Sequence, residues 1–231
     1  LYFDPFHPKN YEMKKDLKIY YKRRLPHWQP VGGVFFVTVC WREAIPKKVL
    51  RKLRATYLEE VSVLNGEGKS LSFAKNLAHQ QYLMRIYNYL SKQHSDIRYL
   101  GKPEVAKCVI EQIHRHDGQL YNILAYSIMP NHFHFVFDTG VQVWPKGLEF
   151  DENEYIQVTD IMREIKGASA RYANEVLNRK GAFWQAESWD RWVRDEKELD
   201  NWIDYTLLNP VNAGLVKNWQ DWPYNYWLGD F

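Results

Sequence analysis

"YSIMPNHFHFVF", residues 126–137, decides how this chain is read. Two apolar runs, 121–128 and 132–138, flank a Met129-Pro130-Asn131 break, which predicts an antiparallel strand pair. His132 and His134 lie at i and i+2 of the second run. A strand sets them on one face, about 6.5 Å apart along the chain, with Phe133 turned to the core on the other side. Two imidazoles so placed can converge on one metal ion. The spacing alone is weak, because two histidines on the polar face of a half-exposed strand give the same pattern. A second H-x-H, His114 and His116, falls at the end of an expected helix. There i and i+2 point about 200° apart, so that pair cannot chelate one ion and is expected to face solvent.

Working outward, "GGVFFVTVCW" (32–41) reads as a strand after a Gly-Gly break. Residues 47–65 and 70–95 carry apolar positions at helical spacing, among them Leu77, Tyr82, Ile86 and Leu90. Residues 102–118 open with Pro103 near the first turn and close at Gly118, a punctuated helix. Residues 139–157 read as loop, and 160–181 as a long amphipathic helix with Asp160 as its cap. Residues 182–194 read as an extended segment. Residues 195–211 form a helix with Asp195 and Glu198 as a capping pair and Pro210 as its stop. The order β-α-α-α-β-β-α-β-α predicts an α+β fold with an antiparallel sheet.

The 231 residues suit one catalytic domain, 31–231, behind an irregular basic arm, 1–30, with a helical insertion at about 65–100. A net charge of +3 excludes a histone-like polycation, so any basic surface must come from clustering. Residues 14–28, "KKDLKIYYKRRLPHW", cluster in that way: Lys18, Lys22, Arg23 and Arg24 alternate with rings that end at Trp28. Cations for phosphates and rings for bases suit single-stranded DNA, and a solvated extension gives the same composition. Cys40 and Cys108 make no metal or redox spacing and are expected as free thiols. No apolar run approaches a membrane span and no signal peptide is visible, so a cytoplasmic address is expected.

The last helix offers a candidate third metal ligand and a candidate nucleophile. Tyr205 and Asn209 are i, i+4 and share a helical face, with Trp202 and Leu208 beside that stripe. A tyrosine hydroxyl can form a covalent intermediate, and an amide oxygen is a hard ligand. A packed aromatic and a helix-terminal Asn before Pro210 would look the same.

Four stretches in order, "LPHWQPVGGVFFVTVCWRE", "YLGKPEVAKCVIEQIHRHDGQLYNILAYSIMPNHFH", "AYSIMPNHFHFVF" and "AFWQAESWDRWVRDEKELDNWIDYTLLNPVNAGLV", resemble the REP-associated tyrosine transposases. These are single-tyrosine HUH transposases, and the resemblance spans about residues 24–224. It implies an HUH, ferredoxin-like palm. It further implies His132 and His134 as metal ligands, Asn209 as the third, and Tyr205 as the nucleophile on a phosphodiester of single-stranded DNA. The implied function is a metal-dependent endonuclease and strand transferase acting on hairpin-forming repeats through a 5′-phosphotyrosine. Magnesium or manganese is the expected ion, two imidazoles favouring manganese. A monomer or homodimer and no membrane are expected. The alternative is a catalytically silent hairpin-binding regulator in which Tyr205 only stacks. Residues 65–100 and 140–158 are longer than a minimal member needs.

Overall fold

The computed structural model describes residues 20–22, 26–92, 98–143, 154–186 and 188–229. In chain order the elements are β1 (Tyr20–Lys22), β2 (Pro26–Trp28), β3 (Val34–Cys40), α1 (Lys47–Gly66), α2 (Leu71–Ser91), α3 (Pro103–His114), β4 (Asn122–Met129), β5 (His132–Asp138), α4 (Val158–Val176), β6 (Trp189–Val193), α5 (Glu196–Asn212) and β7 (Asn225–Trp227). Five strands form an antiparallel sheet in the order β6-β3-β5-β4-β7, and the fold is α+β.

Residues Val34–Cys40 and His132–Asp138 are buried throughout, because both faces of these central strands are covered. That is why they read as near-continuous apolar runs rather than as an alternation. The turn before β3 needs its two glycines. Gly32 sits at φ +69°, and a Cβ on Gly33 would lie 3.1 Å from the Pro30 carbonyl oxygen. Met129 pairs with His132, so β4 and β5 are joined by Pro130-Asn131 alone. Their carbonyls accept from Leu100 N (3.1 Å) and Trp41 N (3.0 Å), which pins the hairpin tip to the rest of the sheet.

The register assigns the two faces. Thr38 pairs with His134 and Cys40 with His132, so these four share a face with Phe36. α5 and α2 cover it: Trp202 stacks on Phe36 at 4.2 Å, and Tyr87 meets the same ring at 5.7 Å. Phe133 and Phe135 point the other way. There Phe133 meets Trp184, whose indole N–H donates to Ser169 of α4, while Phe135 meets Tyr121, whose hydroxyl donates to the Ile113 carbonyl of α3.

Several local expectations are corrected. The arm holds a β1–β2 hairpin rather than irregular chain throughout. Lys18, Arg23 and Arg24 lie outside the described residues; Lys22 and Trp28 lie on β1 and β2. Asp160 does not cap α4. The helix starts at Val158 with Gln157 at the cap position, which leaves Asp160 in the first turn, where its charge still suits the dipole. Pro210 does not stop α5, which runs to Asn212. So close to the end, the missing N–H removes one bond of the last turn and no more. Asp195 caps α5 by accepting from Glu198 N at 2.7 Å, but the Glu198 carboxylate turns to Arg191 and Arg194 instead of closing the box. The 182–194 segment narrows to a five-residue strand plus a bridge from Trp184 to Trp41.

Candidate functional site

His132 and His134 are fully buried, so they do not sit on a half-exposed strand. Their Nε2 atoms are 3.0 Å apart. Each ring is fixed through its other nitrogen. His132 Nδ1–H donates to Asn131 Oδ1 at 2.6 Å, and His134 Nδ1 meets Thr38 Oγ1 at 2.8 Å. Asn209 Nδ2 donates to His134 Nε2 at 3.1 Å. With Nδ1–H of His132 donating to Asn131, its Nε2 carries a lone pair, and so does Nε2 of His134 when the Asn209 amide donates to it. Burial holds both imidazoles neutral, His132 with its pKa lowered to about 3 and His134 pushed down further by its neighbour. The neutral ring is the ligand form.

Two lone pairs at that separation repel unless a cation lies between them. An ion with bonds of about 2.1 Å sets two cis ligands of an octahedron about 3 Å apart, which fits the observed spacing. Asn209 Oδ1 is buried with no hydrogen-bond partner. Rotating the amide turns that oxygen toward the imidazoles, so two nitrogens and one oxygen fit a divalent ion of the magnesium or manganese kind. All three donors are uncharged. Among the described residues no group of three His, Cys, Asp or Glu gathers anywhere.

Tyr205 meets His134 edge-on at 5.2 Å and lies among Phe36, Trp202 and Tyr87 at 5.7–5.9 Å. It is half-buried, which leaves the phenol approachable. Burial pushes its pKa above the ordinary value, and the Asn209 amide works in the opposite direction. Arg191, across from Phe36 in the sheet register, lies over the Trp202 ring at 5.2 Å, and Glu198 neutralises it. Leu208, expected beside the Tyr205 stripe, is 40% exposed and takes no part.

Three neighbours escape a reading by sequence. Thr38 has no signal until its register with His134 is known. Asn131 could have been found, since it directly precedes the pair. Tyr87 comes from α2, where it looks like one more apolar position beside Ile86. It is fully buried, contacts Tyr205 at 5.7 Å and His134 at 6.1 Å, and its hydroxyl has no hydrogen-bond partner of good geometry. Ser127 Oγ is also orphaned and pairs in register with His134. Three unpartnered buried atoms (Asn209 Oδ1, Tyr87 Oη and Ser127 Oγ) around one pair of imidazoles mark a place for a polar ligand.

No protein-family model matches the chain. It is similar to a putative REP-associated tyrosine transposase of Haemophilus influenzae, 29% identical over 110 residues, 46% of this chain and 58% of the relative. It is also similar to the REP-associated tyrosine transposase of Escherichia coli strain K12, 28% identical over 105 residues, 46% of this chain and 53% of the relative. The chain thus spans somewhat over half the length of these curated relatives. A solved structure described as the REP-associated tyrosine transposase bound to a REP hairpin aligns over 91% of both chains, with 19% identity and a TM-score of 0.48. Both curated relatives carry the name of the group that this chain resembles.

Proposed function

We propose that this chain is a metal-dependent single-stranded DNA endonuclease and strand transferase that cleaves hairpin-forming repeat DNA through a 5′-phosphotyrosine at Tyr205. One observation carries the reading: His132 and His134 of β5 meet Tyr205 and Asn209 of α5, an element some seventy residues on in the chain. The candidate nucleophile and third ligand stand one turn apart on one rigid helix, which fixes their separation. The names of the curated relatives agree with this reading.

In the proposed reaction the Tyr205 oxygen attacks phosphorus and the bond from phosphorus to the 3′-oxygen breaks. The phenol gives up its proton and the leaving oxygen takes one, forming a 3′-hydroxyl. A second 3′-hydroxyl can reverse the step, so strands exchange without an outside energy source. His132, His134 and Asn209 would hold a divalent ion, which when bound would supply positive charge to the scissile phosphate. Thr38 and Asn131 hold the two rings in orientation and tautomer. The Tyr205 phenol is protonated at rest, and burial raises its pKa further, so attack on phosphorus must be accompanied by loss of that proton. The basic arm, with Lys18, Lys22, Arg23, Arg24 and Trp28, contributes phosphate and stacking contacts.

The test incubates the protein with manganese and hairpin oligonucleotides that carry single-stranded flanks, and reads a denaturing gel. A denaturation-resistant DNA adduct is expected with the wild type and is lost in Tyr205→Phe, with hairpin binding retained. An adduct that survives in the Phe variant moves the nucleophile elsewhere. Binding without any adduct in the wild type selects the silent regulator instead.

A further inference from the structure

The helical hairpin α1–α2 has no role in the chemistry above, yet it builds one wall of a groove of 610 Å³. Its cations are Arg42, Lys47, Arg51 and Arg54, and no described lining residue carries a carboxylate. All four are exposed, and no ion pair with a described carboxylate holds any of them. Lys47, Arg51 and Arg54 stand at i, i+4 and i+7, one stripe on α1 about 10 Å long. Cations converging on one point would suit a single anion. A stripe suits a chain of phosphates, and two guanidinium forks suit phosphate oxygens. Tyr57, half-buried in the same wall, offers a ring on which a base can stack.

The groove also has a defined relation to the candidate site. Trp189, part of its lining, pairs in register with Thr38, which pairs with His134. Two strand spacings, about 10 Å, therefore separate the Trp189 backbone in the groove wall from that of His134.

We propose that this groove is a binding track for single-stranded DNA adjoining the hairpin, with Arg51 and Arg54 on the phosphates and Tyr57 under a base. This rests on the DNA-transposase reading above. It gives the α1–α2 hairpin, which connects β3 to α3, a function separate from that of the basic arm.

The experiment measures binding by fluorescence anisotropy over a series of salt concentrations, for the full chain and for Arg51→Gln/Arg54→Gln. The probes are a blunt DNA hairpin and the same hairpin with a single-stranded extension on either side. The wild type is expected to bind one extended hairpin more tightly than the blunt one. The double variant is expected to lose that advantage, about tenfold in affinity, and to keep its blunt-hairpin affinity. Its log–log salt slope on the extended probe should fall by about 1.4, two contacts at about 0.7 each. Both arginines are exposed, so an unchanged melting temperature verifies the fold. Equal weakening on all probes, or no weakening on any, overturns the track. Failure of the transposase reading shows separately, as no salt-dependent binding of any hairpin by the wild type; the groove then serves some other polyanion and the proposal falls with it.

Discussion

The chain contains H-x-H twice, and the two copies end in different places. His132 and His134, on β5, bring Nε2 atoms to 3.0 Å and share Asn209. His114 and His116, at the end of α3, part company: His114 meets the Tyr126 hydroxyl at 3.1 Å, and His116 pairs with Glu164 at 3.0 Å. The expectation that the second pair faces solvent holds for His114, which is exposed, and is corrected for His116, which is half-buried; each ring has its own partner. The geometric expectation stands, because helical backbone sends i and i+2 to different sides while strand backbone sends them to one. The same three-letter pattern is thus a candidate chelate in one place and two separate tethers in the other.

Replacing a ring is the hardest test of that contrast. His132→Ala or His134→Ala is expected to lower metal-dependent DNA cleavage by well over about 100-fold, since losing a second-shell partner alone costs about 10–100-fold. His114→Ala and His116→Ala are expected to leave cleavage close to wild type. Comparable losses from both pairs in single-turnover assays would dissolve the distinction.

Acid sharpens it next. In the metal-free protein His132 stays neutral down to about pH 3, whereas the unfolded imidazole takes up a proton near 6.5. The unfolded chain therefore binds more protons between those values. The contribution is intact above pH 6.5 and falls by about 1.4 kcal/mol per pH unit on acidification through the window. Asp138, raised to about 6 by burial, acts in the opposite sense, since the folded form holds the proton that the unfolded carboxyl has lost. The comparison is therefore between wild type and His132→Gln. Melting curves from pH 7.5 to 4 are expected to be shallower for the variant; parallel curves would mean that the ring is not held neutral.

Support for the rings comes next in size. Thr38→Val removes the partner of His134 Nδ1 and is expected to weaken manganese binding about 10-fold or more, read by calorimetry. The matching change on the helical pair, Tyr126→Phe, takes the partner from His114 and is expected to leave manganese binding unaltered. The smallest effect belongs to Tyr87→Phe. Deleting a buried hydroxyl whose nearest polar neighbour, Thr38, makes no well-aligned hydrogen bond with it is expected to leave thermal stability unchanged or raised by up to about 1 kcal/mol. A clear fall in melting temperature would place a strong hydrogen bond on that oxygen.

Much of the site was legible because it is written in local periods. The i, i+2 histidines and the i, i+4 Tyr205–Asn209 pair each follow from the repeat of a single element, and both arrangements are found as expected. Boundaries were less legible. Asp160 and Pro210 are sound punctuation in isolation, but packing of the apolar faces of α4 and α5 carried each helix past its marker. β7 escaped notice because a three-residue edge strand has too little pattern to stand out from its surroundings.

Residues 121–138 by themselves determined a strand pair, its two-residue turn and the common face of its histidines, since backbone pleat acts over a few residues. Only the tertiary structure decided what that face would meet. α5 crosses it with Asn209, β3 supplies Thr38 from nearly a hundred residues away, and α2 adds Tyr87, while α1 lays its basic stripe beside β6. None of these has a local signature. Each follows from how amphipathic elements cover a sheet to bury their apolar faces, and that burial rewards contact without regard to distance along the chain.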